Sequence, residues 1–284
     1  VSERLILRRG GAEVSLLPQL GGAVGGFSVG RRDIMRPTPG DATDPLETAC
    51  FPLVPYANRI AGGRFTFAGT SHVLLSSHPV FPYPIHGLGW VKPWAAAEQG
   101  GASAVLACSH AADEHWPWDW SATQRFDLAD DALRISLELV NTSDEAMPAG
   151  LGLHPYFVRN PDDVLQFEAA GLWEGDETFI PVRRLPADAL GDFAAGAVPS
   201  PRSLTDNCYF GWTGTARWGD GIALEARGSS FLHVFAPPGE DFVCLEPTSQ
   251  MPDALNRPDF AAAGGTVLAP GATQVLELEI SVRG

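Results

Sequence analysis

Lysine is nearly missing from this sequence. Lys92 is the only one in 284 residues, which leaves little for imine chemistry on a lysine amine. Basic residues as a whole are scarce, 19 against 34 acidic, for a net charge of -15. A field of that sign repels polyphosphate backbones, so nucleic acid is not an expected partner, and phosphorylated metabolites are disfavoured unless a local basic pocket intervenes. Long apolar runs are absent too. None approaches the roughly 20 residues that cross a bilayer, so no membrane partner is expected. The segment Val1-Ser2-Glu3-Arg4-Leu5-Ile6 shows no basic stretch leading into an apolar one. No signal peptide is therefore visible, and the expected location is cytoplasmic, a leader already removed being beyond reach of the sequence. The four cysteines, Cys50, Cys108, Cys208 and Cys244, are scattered without a C-x-x-C pair, and are expected to be reduced core residues. H-E-x-x-H, the Walker loop, G-x-G-x-x-G and G-x-S-x-G do not occur, so neither metal nor organic cofactor is signalled.

Glycine (31) and proline (24) are plentiful and evenly spread, as suits many short strands joined by turns. Period-2 alternation marks the strands: Arg4 to Arg8, Glu13 to Leu16, Arg64 to Phe67, Leu133 to Leu139, Phe231 to Phe235, Asp241 to Leu245 and Gln274 to Ile280. No stretch holds apolar residues at helical spacing across three turns; only Ala187 to Leu190 suggests one short helix. The class is all-β. No composition break divides residues 1–284, which predicts a single domain. His115-Trp116-Pro117-Trp118-Asp119-Trp120 has the look of a stacking platform, but such a run more often packs into a core from a strand edge or a turn.

Several segments carry chemistry-bearing side chains. Asn58-Arg59-Ile60 precedes a hairpin pattern, and an arginine there is either a surface charge or a fixed fork donating to hydroxyls. Ile85-His86-Gly87 puts a glycine beside a histidine, allowing close backbone approach. In Gly150-Leu151-Gly152-Leu153-His154, an extended chain sends the glycines and His154 to one face, leaving an empty strip beside the imidazole. In Asp241 to Thr248, alternation places Glu246 with Phe242 and Cys244. There it is either solvated at the strand tip or desolvated in a cleft, and desolvation would strengthen it as a base. Asp206-Asn207 reads most simply as a turn opener.

Together and in this order, these segments resemble the aldose 1-epimerase (galactose mutarotase) family. The matching words are Asn58-Arg59-Ile60, Ile85-His86-Gly87, His154-Pro155-Tyr156-Phe157, Thr205-Asp206-Asn207-Cys208 and Leu245-Glu246-Pro247, and Trp116-Pro117-Trp118-Asp119 looks like a structural strand of the family. The resemblance spans about residues 12 to 282. It implies a large β-sandwich of twisted antiparallel sheets with an open sugar cleft, and no cofactor or metal. It implies that Glu246 is the base on the anomeric hydroxyl and His154 the acid on the ring oxygen. His86 and Arg59 would bind the sugar near its reacting end and Asp206 on the far side, with Asn58 adjoining.

The implied function is interconversion of the α and β anomers of a free aldose such as galactose or glucose. The implied partner is a monosaccharide, with the protein a monomer or homodimer. Two departures bear on the substrate. The segment after His86 reads Gly-Leu-Gly-Trp, where better-studied galactose mutarotases tend to carry a second glycine, and Pro247-Thr248-Ser249-Gln250 also differs from their usual sequence. Epimerisation of a phosphosugar or uncommon sugar, and sugar binding without catalysis, are the alternative readings.

Overall fold

The structure, a computed structural model, describes residues 4–79, 81 and 83–283. Two eight-stranded antiparallel sheets dominate it. The first runs in the order 165–167, 215–218, 222–227, 273–282, 132–141, 120–128, 103–110 and 95–99. The second runs 181–185, 171–175, 205–210, 231–236, 242–248, 152–153 and 52–53, with 156–158 also paired to 242–248. A four-stranded sheet built from residues 5–33 is tied to the chain around the second sheet by isolated bridges, Val24 to Cys50 and, just beyond its last strand, Met35 to Phe157.

The alternation seen in the sequence is what sorts these faces. In Ala132–Asn141, Leu133, Ile135, Leu137 and Leu139 are fully buried, while the intervening side chains reach the surface to differing degrees. They join one apolar cluster with Leu232, Val234, Val243 and Leu245 of the second sheet, so the core lies between the two sheets. The strands Phe231–Ala236 and Phe242–Thr248 are buried on both faces. One face packs into that core. The other carries His233, Phe235, Cys244 and Glu246, and needs a cover of its own.

Trp116 and Trp118 pack into the core from the irregular segment before Trp120–Leu128, with Trp116 against Tyr56 and Phe65. They are structural, not a stacking platform. The four cysteines are free and buried. Ala187 to Leu190 forms turns and no helix: Ala189 N–H donates to Pro186 O and Gly191 N–H to Asp188 O, and the chain then leaves through Gly191 at φ 142°. Four residues between a proline and a glycine are too few to pass helix nucleation. The described helices are 3₁₀ turns of three residues, such as Pro45–Glu47, and none among the described residues is long and apolar enough to cross a membrane.

Candidate active site

The second face of the Phe242–Thr248 sheet floors a cleft of about 250 Å³, below the range of roughly 300–1,000 Å³ typical of drug-sized sites. Asn58, Arg59, His86, His154, Asp206 and Glu246 all line it. Larger concavities lie elsewhere, one of about 450 Å³ around Gln166 and Arg217 and one of about 480 Å³ around Trp173 and Phe210, but neither is lined by a histidine that could work beside a carboxylate.

Glu246 reaches the floor because alternation from Phe242 and Cys244 points it there, and it is 2% exposed. It is desolvated in a cleft, not solvated at a strand tip. His154 leaves the chain between the short strands Gly152–Leu153 and Tyr156–Val158, with its N–H bonded to Phe51 O. Its ring stacks on Tyr156 with centroids 4.7 Å apart and tilts over Phe51 at 4.6 Å, which fixes the imidazole plane. His154 Nε2 thereby lies 3.3 Å from Glu246 Oε1. The strip beside His154 is not empty, contrary to expectation. A Cβ on Gly150 would fall 1.9 Å from Gln250 Oε1, and one on Gly152 would fall 2.8 Å from Leu53 Cδ1. These glycines admit neighbouring side chains, not a ligand.

Asn58 and His86 occupy the wall as a pair, both left-handed at φ 59° and 60°. Asn58 N–H donates to His86 Nδ1 at 3.2 Å and His86 N–H returns to Asn58 O at 3.0 Å. Gly87 permits the approach: a Cβ there would lie 2.2 Å from Val54 O. Arg59 donates to Asn58 Oδ1 from its backbone N at 2.8 Å and from Nη1 at 3.3 Å, and its Nη2 lies 3.7 Å from Asp206 Oδ2. It is the fixed fork, not a surface charge. Asp206 is not a turn opener; it is the second residue of the strand Thr205–Phe210.

Sequence reasoning missed His233, whose Nε2 is 2.6 Å from Asp206 Oδ1 and which pairs in register with Glu246. It also missed Arg36, clamped over the Tyr156 and Phe242 rings with Nη2 donating to Leu46 O and Thr48 O. His233 lies on a strand buried on both faces, so its apolar neighbours give no sign that its side is the cleft side. Arg36 had no local signal.

Electrostatics follows burial. Burial pushes the Glu246 carboxyl up to about 7, with Asp206 adding to the rise and His233 and Arg59 opposing it. Burial also pulls His154 down to about 3, helped by His233 whenever that ring is protonated and by the positive charge of Arg36. His86 falls well below its ordinary value, through burial first and then the repulsion it would meet, once charged, from His154, Arg59 and His233. Burial would raise Asp206, but the hydrogen bond from His233 first, and then the charge of Arg59, hold it low, with any protonation of His233 adding to the effect. Glu246 Oε2 and His154 Nδ1 are buried without a hydrogen-bond partner among the described residues, which is unusual for native polar atoms.

His86, His154 and Glu246 each offer a ligand atom within 4.8 Å of the others, a set that by composition would take a metal. The backbone argues otherwise. With Nδ1 accepting from Asn58, the His86 proton sits on Nε2, facing the cleft as a donor.

A sequence profile of the family described as aldose 1-epimerase matches residues 3–281. The chain belongs to that family. It is 33% identical over 282 residues to the uncharacterized protein YphB of Escherichia coli (strain K12), covering 92% of this chain and 93% of that one. A crystal structure of a candidate aldose 1-epimerase from Escherichia coli K12 superposes with a TM-score of 0.90 at 29% identity, over 99% of both chains. The GalM/aldose epimerase homologue from C. elegans superposes with a TM-score of 0.82 over 100% of this chain and 99% of its own. At 19% identity, that second likeness speaks to the fold alone.

Proposed function

We propose that the protein is a cofactor-independent aldose 1-epimerase, interconverting the anomers of a free aldose such as galactose or glucose with Glu246 as base and His154 as acid. The observation that carries this is the 3.3 Å contact between His154 Nε2 and Glu246 Oε1 at the floor of a small buried cleft. Ring opening needs a proton removed from the anomeric hydroxyl and one delivered to the ring oxygen, the two oxygens of one hemiacetal carbon. A base and an acid this close can serve both atoms at once.

Proton bookkeeping supports the assignment. Below about pH 7 the pair holds one proton, shared between Glu246 and His154. In the reactive arrangement His154 carries it toward the ring oxygen while ionised Glu246 accepts the anomeric proton. As the C1–O5 bond breaks, His154 ends neutral and Glu246 ends protonated. That is the arrangement burial favours for both groups, so the site suits the opened sugar. Rotation about C1–C2 and the reverse transfers close the ring on the other face. Arg59, His86 and Asp206 hold hydroxyls meanwhile, with His86 donating from Nε2, and Asn58 holds Arg59 and His86 in place.

The test is polarimetry on a panel of freshly dissolved pure anomers, corrected for spontaneous and buffer-catalysed mutarotation. Acceleration of at least one free aldose is the expected result. Binding without acceleration for every sugar would leave a non-catalytic sugar-binding protein, and activity confined to phosphosugars would move the substrate class.

A further inference from the structure

Four side chains on the cleft wall make a closed ring. Arg59 Nη1 donates to Asn58 Oδ1 at 3.3 Å, Asn58 Nδ2 faces His233 Nδ1 at 3.5 Å, His233 Nε2 meets Asp206 Oδ1 at 2.6 Å, and Asp206 Oδ2 returns to Arg59 Nη2 at 3.7 Å. The direction of each bond is fixed by its neighbours. Asn58 Oδ1 also accepts from Arg59 N–H at 2.8 Å, so its oxygen is committed and its amide N–H₂ must face His233. Asp206 is held as a carboxylate and accepts from both sides. The arrangement closes only if His233 carries one proton, on Nε2.

We propose that His233 is a positioning residue, a neutral imidazole that donates from Nε2 to Asp206 and accepts at Nδ1 from Asn58, and so locks the sugar-binding wall of the cleft. Both ring nitrogens are engaged with protein, so His233 itself offers nothing to a sugar. It acts through Asp206, whose Oδ1 it holds while Oδ2 pairs with Arg59, fixing both of these cleft-lining groups in place. Through Asn58 it also steadies His86, since Asn58 N–H holds His86 Nδ1. One buried side chain thus sets three of the groups assigned to the sugar.

An opposing pull acts on His233. Burial disfavours its charged form, yet the Asp206 hydrogen bond and the negative charges of Glu246 and Asp206 raise its proton affinity on balance, with Arg59 working against them and His86 and His154 also nearby. A second proton would have to sit on Nδ1, where it meets the Asn58 amide N–H₂ head on. The amide cannot turn over, because its oxygen is pinned to the Arg59 backbone. Protonation would therefore break the ring, and the geometry favours the neutral form at pH 7.

The consequence for sugar binding rests on the reading of the cleft as an aldose site; the protonation state does not. The test has two arms on the full chain. Long-range ¹H–¹⁵N correlation of the histidine rings reports whether His233 at pH 7 is neutral with its proton on Nε2, as expected; a doubly protonated ring overturns the proposal whatever the protein catalyses. Calorimetric titration with galactose and glucose then compares His233→Gln and His233→Leu. Glutamine supplies one donor and one acceptor without charge, so it should stay within about threefold of wild-type affinity. Leucine strands the Asp206 carboxylate and should lose about tenfold to a hundredfold, with kcat changed much less than KM. A glutamine variant as impaired as leucine would show that charge matters and the ring does not. If neither sugar binds the wild type, the aldose reading fails and the ring-nitrogen spectrum alone decides this proposal.

Discussion

Replacing Glu246 by glutamine separates an enzyme from a sugar binder. The side chain is 2% exposed, with Oε1 at 3.3 Å from His154 Nε2 and Oε2 unpartnered, so an amide of the same shape fits the same space. Its new N–H lacks an acceptor, a cost of about 1–3 kcal/mol. That cost is partly offset because no charge then has to be buried, and with the carboxyl near 7 the wild type carries only about half a charge at neutral pH. Glu246→Gln should fold. What it loses is the base, and a well-placed acid or base contributes about 10²–10⁴-fold, or about 3–5 kcal/mol of barrier. Decay of optical rotation from pure α-glucose or α-galactose should slow by at least about 100-fold, with sugar affinity changed by no more than a few fold. Such a split marks an interaction made mainly in the transition state. His154→Asn should fall comparably, and the double variant should be little worse than the more impaired single, since both groups serve one event. A Glu246→Gln protein with full activity would refute the assignment of the base.

Much of this fold is written locally. Leu133, Ile135, Leu137 and Leu139 alternate with partly exposed and exposed residues, and that alone places a strand with one buried face. The cleft strands are harder to read, because Phe231–Ala236 and Phe242–Thr248 are buried on both sides and polarity no longer reports which face is core. His233 was overlooked for this reason: among apolar neighbours it looks like a satisfied core histidine, and its meaning depends on Asp206, 27 positions away. The glycines before His154 misled in the opposite direction. A missing Cβ marks close approach, but the sequence cannot say by what, and here Gln250 and Leu53 fill the space. Glu246, His154, His86, Arg59, Asp206 and Asn58 were found through the order of five short motifs, a pattern of chain-wide spacing that no single motif's chemistry supplies.

Further outcomes test the scaffold and the proton inventory. Leu137→Ala removes a fully buried side chain from the layer between the sheets and should lower stability by about 2–5 kcal/mol in denaturant titration, leaving kcat unchanged in the folded fraction. Gly87→Ala forces a Cβ to within 2.2 Å of Val54 O at a left-handed position, so the His86 loop must shift; the melting temperature should drop and sugar affinity with it, and an unperturbed variant would remove Gly87 from the account of the site. The last concerns pH. The reactive pair needs one proton, which both arrangements of Glu246 and His154 contain. Raising pH through the elevated Glu246 value of about 7 removes it, and the pair gains a second only near the depressed His154 value of about 3. Accordingly kcat/KM should be level across the acid side for as long as the fold survives, then fall about tenfold per pH unit above about 7. The opposite slope, activity climbing through pH 7, would mean that ionised Glu246 works beside a neutral His154 that only polarises the ring oxygen, and the shared-proton mechanism would be wrong.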